Sequence, residues 1–365
     1  MYSTRVACKT VRSFSAAAAA ACLLCAGSAA AQSSTTLYGR VIGGIGYVNK
    51  VATPSGGSAG LVRYGSDWGA SWWGIRVNED LGQGLSAVAN LESMFTSDDG
   101  RTIGDSFFNR YAVVGLASRS YGTVWLGRAM ALTDGELWAV DPFAMQFTSV
   151  GTLAYGRNWG PRDNAITYNS PSWGGLSFRA QAGLGEVPGR PSGKRQLSGS
   201  ISYESGPLVV KGVYEEIRDA NGDFTNLYAT SREYAVGGAY QAGSVKMFAG
   251  YSLIRSGSAT VADASNPTAA TRHQMAWLGA AWSATPALTL LAGGYHASLN
   301  RDGGNATLLA LGANYNLSKR TLLYATLGTV VNRGNAAFSV EVTPDTKPMA
   351  GATQQGVYTG IMHSF

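Results

Sequence analysis

The chain has 365 residues, a net charge of +6 at neutral pH and only 14% charged residues. Its basic residues are scattered and form no run, which excludes the charge pattern of a nucleic-acid-binding protein. Its 48 glycines and 18 tyrosines, with 9 tryptophans, favour many short strands over the two soluble domains that this length would ordinarily suggest.

The first 31 residues have the three parts of a secretory signal peptide. A basic start precedes a small apolar run from Ala16 to Ala26, and three alanines ending at Ala31 follow. The apolar run is too short to span a bilayer as a helix. We therefore predict a cleaved signal peptide over 1–31 and a mature domain over 32–365, whose net charge falls to about +3.

All three cysteines, Cys8, Cys22 and Cys25, lie in the predicted leader. The mature chain therefore has no disulfide, no thiolate metal site and no cysteine nucleophile. A lipoprotein anchored through Cys25 is the alternative, but Leu24 stands where lipidation usually requires a small residue. We expect no cofactor and no metal site.

Alternation with a period of two residues dominates from Thr36 to the end of the chain. In the first strand Leu37, Val41 and Ile45 share one face, and Arg40 lies on the other. The pattern predicts sixteen strands: 36–49, 69–80, 84–95, 107–117, 122–129, 164–170, 174–184, 196–204, 207–217, 232–241, 244–254, 273–283, 286–297, 305–317, 320–332 and 354–365.

The connections between these strands alternate in length. Short turns such as 80–84 and 241–243 separate long connections rich in Gly, Ser, Asn and Asp, at 50–68, 130–163 and 255–272 among others. This asymmetry is typical of outer-membrane barrels, and no later apolar run reaches the roughly 18 residues of a spanning helix. Hydrocarbon offers no partner for backbone polar groups, so the sheet must close. The predicted fold is an all-β, 16-stranded antiparallel transmembrane barrel in contact with outer-membrane lipid.

The predicted last strand ends the chain at Phe365. A terminal phenylalanine after an amphipathic strand resembles the signal that the outer-membrane assembly machinery recognises. We therefore predict that Phe365 is an assembly signal and that this machinery is a partner.

Several motifs, in this order and spacing, resemble the general porins of β-proteobacteria such as Bordetella, Burkholderia, Comamonas and Neisseria. The matching segments are Ser34–Gly39, Trp73–Arg76, Glu79–Leu85, Leu91–Ser93, Phe108–Arg110, Val114–Leu116, Tyr121–Val124, Leu126–Arg128 and Asp141–Phe143. The resemblance implies a homotrimer of 16-stranded barrels, each with its third loop folded into a water-filled pore. It also implies passive diffusion of small hydrophilic solutes and ions.

The long connection from Met130 to Asp163 is the candidate for the inward-folded loop, with an ordinary surface loop as the alternative. It carries the predicted acidic side of the constriction: Asp134, Glu136 and Asp141. The predicted basic side is Arg40, Arg76, Arg110 and Arg162. Arg110 and Arg162 match arginines of the family, and Arg40 and Arg76 face the lumen by parity. Such a pair of charged sides filters permeants by charge; solvated arginines without a special role are the alternative.

Two departures from the family bear on the predicted selectivity. Trp72 stands where the family often has an arginine at the pore constriction, and Ile42 stands where many members have an aspartate. We predict Trp72 and Glu92 on the lumen wall. Arg110 shares strand parity with lipid-facing Val114, which requires either a shifted register or a position above the apolar band. On balance we predict weak anion preference.

Two other functions remain possible from the sequence. A substrate-specific outer-membrane channel needs an aromatic or charged track, which Trp72, Trp125 and Trp138 would begin. A phospholipase-like barrel enzyme is the more distant alternative, since the three histidines, His273, His296 and His363, have no metal-ligand or nucleophile-elbow spacing. We predict no catalytic residues.

Overall fold

A computed structural model describes residues 33–365 apart from 66–67, 145 and 343. The predicted signal peptide lies outside the described residues. The strands are β1 (Ser34–Ala52), β2 (Ser58–Tyr64), β3 (Ser71–Gly82), β4 (Leu85–Phe95), β5 (Tyr111–Ser118), β6 (Gly122–Met130), β7 (Pro161–Asn169), β8 (Leu176–Gly183), β9 (Gln196–Ser205), β10 (Leu208–Ile217), β11 (Arg232–Ala242), β12 (Val245–Arg255), β13 (Arg272–Ser283), β14 (Leu288–Leu299), β15 (Asn305–Asn316), β16 (Thr321–Arg333) and β17 (Thr353–Ser364). The helix α1 (Leu132–Trp138) and two 3-10 turns, Thr152–Ala154 and Pro344–Thr346, complete the elements.

Antiparallel pairing runs around the whole wall and closes on itself. From β3 onward each strand pairs with the next, including β9 with β10, and β17 returns to pair with β1, where Gly44 lies opposite Gly360. Closure satisfies the backbone groups that an open edge would leave without partners in lipid. Within the described residues, no helix has the length and apolar content needed to cross a membrane.

The described strands fill sixteen positions in the wall, as predicted, because β2 and β3 share one. The first half of β1, Ser34–Arg40, pairs with β3, and its second half, Ile45–Ala52, pairs with β2. The predicted long connection over 50–68 therefore contains a strand at its centre, which the sequence did not predict. The pairing partner that orders β2 is the far end of β1, which extends three residues beyond its predicted limit of 49.

Side-chain alternation divides lipid from lumen as predicted. In β1, Leu37 is 62% exposed and Ile45 61% exposed on the outer face, whereas Ile42 on the other face is fully buried. Short turns join β3 to β4 and β11 to β12, and long connections join β6 to β7 and β16 to β17. The two rims of the barrel therefore differ.

The main hydrophobic core lies inside the barrel. The connection 131–160, called loop 3 from here, contributes Leu132, Leu137, Val140 and Phe143, which pack on lumen-facing residues such as Tyr295. Loop 3 is therefore folded inward. It rests on β7–β16, called the covered wall, and leaves β17 and β1–β6, called the open wall, facing the remaining space.

Candidate pore constriction

Glycines on the covered wall make room for loop 3. A Cβ atom on Gly237 of β11 would lie 2.6 Å from Val140, and one on Gly279 of β13 would lie 2.5 Å from Pro142. The same relation holds, at 2.9 Å in each case, between Gly312 and Phe143 and between Gly328 and Thr148. Since real Cβ atoms do not approach so closely, loop 3 reaches the wall only because these positions lack side chains.

Asp141 holds loop 3 to the covered wall. The hydroxyl of Tyr295 on β14 donates to Asp141 Oδ1 at 2.6 Å, and the amide of Phe143 donates to the same oxygen at 3.3 Å. Nearby, Trp277 Nε1 donates to the carbonyl of Val140 at 2.9 Å. Asp141 is 2% exposed. Its predicted place on the acidic face of the pore is therefore corrected, because the loop turns this carboxylate toward the barrel wall.

Glu136 has a similar position one turn into α1. It accepts hydrogen bonds from Ser200 Oγ at 2.8 Å and Ser202 Oγ at 3.0 Å, and it lies 3.4 Å from Lys211 Nζ and 3.5 Å from Arg179 Nη1. Only 3% of Glu136 is exposed. The structure thus places this predicted pore acid between α1 and β8–β10, where its charge is matched by two cations.

A buried charge cluster fixes the end of loop 3. Arg162 of β7 donates from Nε and Nη2 to both oxygens of Glu215 on β10, at 3.1 and 2.8 Å. Arg157 of loop 3 also pairs with Glu215 and lies 3.6 Å from Glu233 on β11. Arg162 is 6% exposed. The prediction that it forms the basic side of the constriction is corrected, because its guanidinium is held by a carboxylate behind the loop.

Arg40 and two loop 3 residues face each other across the open space. The Arg40 guanidinium donates from Nε and Nη2 to the carbonyls of Ala70 and Trp68, each at 3.3 Å. Its Cζ lies 6.0 Å from the centre of the Trp138 ring on α1. Asp134, one turn earlier on α1, lines the same cavity. The loop and the open wall therefore meet here with an acid, an aromatic ring and a cation.

Arg110 also reaches the lumen. β5 begins at Tyr111, so Arg110 precedes the strand and is released from its alternation. Its Nε donates to Glu92 Oε2 at 2.6 Å, and its Cζ lies 5.2 Å from the ring centre of Trp72. The Glu92 carboxylate accepts a second hydrogen bond from Tyr38. Glu92 and Trp72 thus lie on the lumen wall, with the acid neutralised by Arg110.

Arg76 lies on the same face but nearer the short-turn rim. In the register of β1 and β3 it is opposite Thr36, whereas Trp72 is opposite Arg40. Its guanidinium carbon lies 4.7 Å from the ring centre of Tyr38. The structure therefore brings Arg40 and Arg110 together at the loop and leaves Arg76 below them.

The space between loop 3 and the open wall is a cavity of about 550 Å³. Arg40, Arg110, Asp134 and Trp138 line it, and it extends to Glu341 in the connection before β17. Burial raises the pKa of Asp134 to about 6, although Arg110 and Arg40 act in the opposite direction. Loop 3 thus narrows the barrel here, where Arg40 and Arg110 meet the weakly acidic carboxylate of Asp134.

Comparison with known proteins identifies the family. A sequence model described as Gram-negative porin matches residues 16–335. The chain belongs to the Gram-negative porin family. An outer membrane porin protein of Bordetella pertussis is 30% identical, and the match covers 90% of this chain and 94% of that protein. Outer membrane porin protein 32 of Delftia acidovorans is 31% identical over 90% of this chain and 93% of its own length.

Solved structures agree on the fold. The anion-selective porin from Comamonas acidovorans superposes with a TM-score of 0.77 at 24% identity, over 92% of this chain and all of that one. Membership of the porin family, with these relatives, shows that the chain forms a bacterial outer-membrane channel for passive diffusion of small hydrophilic solutes.

Several further residues that hold loop 3 were not singled out from the sequence. Glu215 and Lys211 lie on the lumen-facing parity of β10, and Glu233 lies opposite Glu215 in the register. Charges on that parity are a usable signal, because a charge on the lipid face of a strand is costly near the bilayer midplane. Their partners Arg157 and Arg179 required knowledge of where the loop lies.

Proposed function

We propose that this porin has a weak preference for anions, set by Arg40. Within the described part of the chain, Arg40 forms no ion pair and only carbonyl oxygens accept its hydrogen bonds. By contrast, the lumenal acids Glu92, Glu136 and Glu215 each have a cationic partner. This uncompensated cation at the narrow level carries the proposal. The structurally similar porin of Comamonas acidovorans is described as anion-selective, which supports it.

The preference is weak because acids also line the cavity. Asp134 faces Arg40 across the constriction, and Asp98 lies on the connection between β4 and β5. Arg63 adds little, since Glu341 and Asp345 pair with it. The cavity lining thus carries as many carboxylates as arginines, so the preference depends on the position of Arg40 and is weak.

Reversal potentials in a KCl gradient test the proposal. The wild-type channel is expected to favour chloride, and Arg40→Gln is expected to lose that preference because it removes the unpaired charge. Arg320→Gln, at an exposed short turn, is the control and is expected to behave as wild type. A potassium preference in the wild type, or no change on Arg40→Gln, would contradict the proposal.

We further propose that the mature channel is a homotrimer in outer-membrane lipid. The Vibrio cholerae OmpT structure described as a trimer form superposes with a TM-score of 0.67 at 14% identity. The mass of the detergent-solubilised complex tests the trimer. We also propose that the signal peptide is cleaved after Ala31, which sequencing of the mature N-terminus tests. Finally, we propose that the outer-membrane assembly machinery recognises Phe365.

A further inference from the structure

The cavity at the constriction has the volume and the aromatic lining of a small-molecule binding site. Its volume of about 550 Å³ lies within the range of roughly 300 to 1,000 Å³ that is typical of small-molecule sites. Besides the arginines, its lining includes the rings of Tyr64, Trp68, Phe95, Trp138, Phe147 and Trp159. A hydrated inorganic anion is not attracted to the faces of such rings, whereas a planar aromatic solute gains contact with them.

The two arginines present donors in a fixed orientation. Arg40 is held through Nε and Nη2 by the carbonyls of Ala70 and Trp68, and among the described residues its Nη1 has no partner. Arg110 is held through Nε by Glu92, and its Nη1 and Nη2 likewise have no described partner. Planar, pre-oriented guanidinium donors match the two oxygens of a carboxylate.

Trp138 supplies the aromatic surface next to these donors. It lies on α1, is 40% exposed and has its ring centre 6.0 Å from Arg40 Cζ. The packing of α1 on the covered wall fixes the helix, so the ring is presented to the cavity by a rigid element.

We infer that the constriction holds a binding site for small planar aromatic carboxylates, with the carboxylate on Arg40 and Arg110 and the ring against Trp138. This inference rests on the proposed anion preference and names the class of anion that the same site takes. Aliphatic acids of equal charge make the arginine contacts without the ring contact.

Block of single-channel current by two matched acids tests the site. Benzoate and cyclohexanecarboxylate carry the same charge at pH 7 and are close in size, but only benzoate has an aromatic face. Benzoate is expected to reach half-block at a concentration about threefold to tenfold lower, as one or two aromatic contacts imply. Equal half-block concentrations would overturn the inference.

Variants locate the site. Trp138→Leu is expected to bring the two half-block concentrations together, whereas Trp173→Leu is expected to preserve the difference. Trp173 is 52% exposed in the short turn between β7 and β8, far from the cavity lining. A Trp138→Leu channel that keeps the full benzoate advantage would refute the ring contact. If that variant fails to fold, Arg40→Gln serves instead and is expected to weaken block by both acids.

The KCl reversal potential on the same membranes separates the two proposals. A channel that prefers potassium but is blocked better by benzoate contradicts the anion preference and keeps the aromatic site. A channel that prefers chloride but is blocked equally by both acids keeps the anion preference and contradicts the aromatic site.

Discussion

The two walls of the barrel use charged residues in different ways. On the covered wall, Glu215 and Glu233 lie buried beneath loop 3 and are matched by arginines. On the open wall, Arg40 faces the cavity and pairs with no described carboxylate. Both walls follow the same strand alternation. Lumen-facing parity alone therefore does not make a charge part of the permeation path; the position of loop 3 decides whether it anchors the loop or meets the solute.

Removal of the Glu215 carboxylate, which anchors loop 3 to the covered wall, is expected to have the largest effect. Glu215→Gln leaves Arg157 and Arg162 without the carboxylate that both contact, and breaking a buried pair in this way costs about 3 to 5 kcal/mol. We expect loop 3 to loosen, with noisier open-channel current and a lower thermal midpoint of the barrel in detergent.

Glu204→Gln is the matched control for that variant. Glu204 on β9 pairs with Lys211 but is 59% exposed, so its removal is expected to cost at most about 1 kcal/mol. Equal losses in the two variants would show that the buried cluster does not hold the loop.

A methyl group beneath loop 3 is expected to have an intermediate effect. In Gly237→Ala the new Cβ meets Val140 at 2.6 Å, and overpacking of this kind costs about 1 to 3 kcal/mol. Gly238→Ala, the neighbour on the outer face, meets only the Val209 carbonyl at 3.3 Å. The thermal midpoint should fall clearly for the first variant and little for the second; the reverse order would mean that the loop does not rest on this glycine.

The smallest expected effect is a shift of selectivity with pH. Asp134 has a pKa raised to about 6, so it is mostly charged at pH 7 and mostly neutral at pH 5. Loss of its negative charge leaves Arg40 and Arg110 less opposed, and anion preference should increase on acidification. Salt-gradient reversal potentials measured from pH 7 to pH 5 check this. Asp134→Asn should have the higher preference throughout and no such transition; a transition that persists in the variant would assign it to another group.

The sequence was sufficient for the barrel because strand alternation is local. It placed sixteen strands and assigned Arg40 to the lumen face and Val41 to the lipid face. It did not separate Asp134, which lines the cavity, from Glu136 and Asp141, which contact the wall. That distinction depends on how α1 docks on strands far along the chain.

Two further differences have local causes. Arg110 was in conflict with its strand parity until the structure showed that β5 starts at Tyr111, four residues after its predicted start at 107 and one residue after Arg110. β2 was missed because it pairs with the second half of β1, Ile45–Ala52, whose last three residues lie beyond the predicted limit of 49. In both cases a strand limit, which alternation predicts least well, decided the result.

The pairing of β1 with β17 has a consequence for how the molecule forms. Gly44 and Gly360 become neighbours only when almost the entire chain is present, and contacts so distant in sequence carry the greatest loop-closure entropy and form slowly. Until that step both terminal strands have bare backbone edges, which are prone to aggregate. We therefore expect synthesis and export to be complete before the cylinder closes, and the unfinished chain to depend on chaperones during that interval.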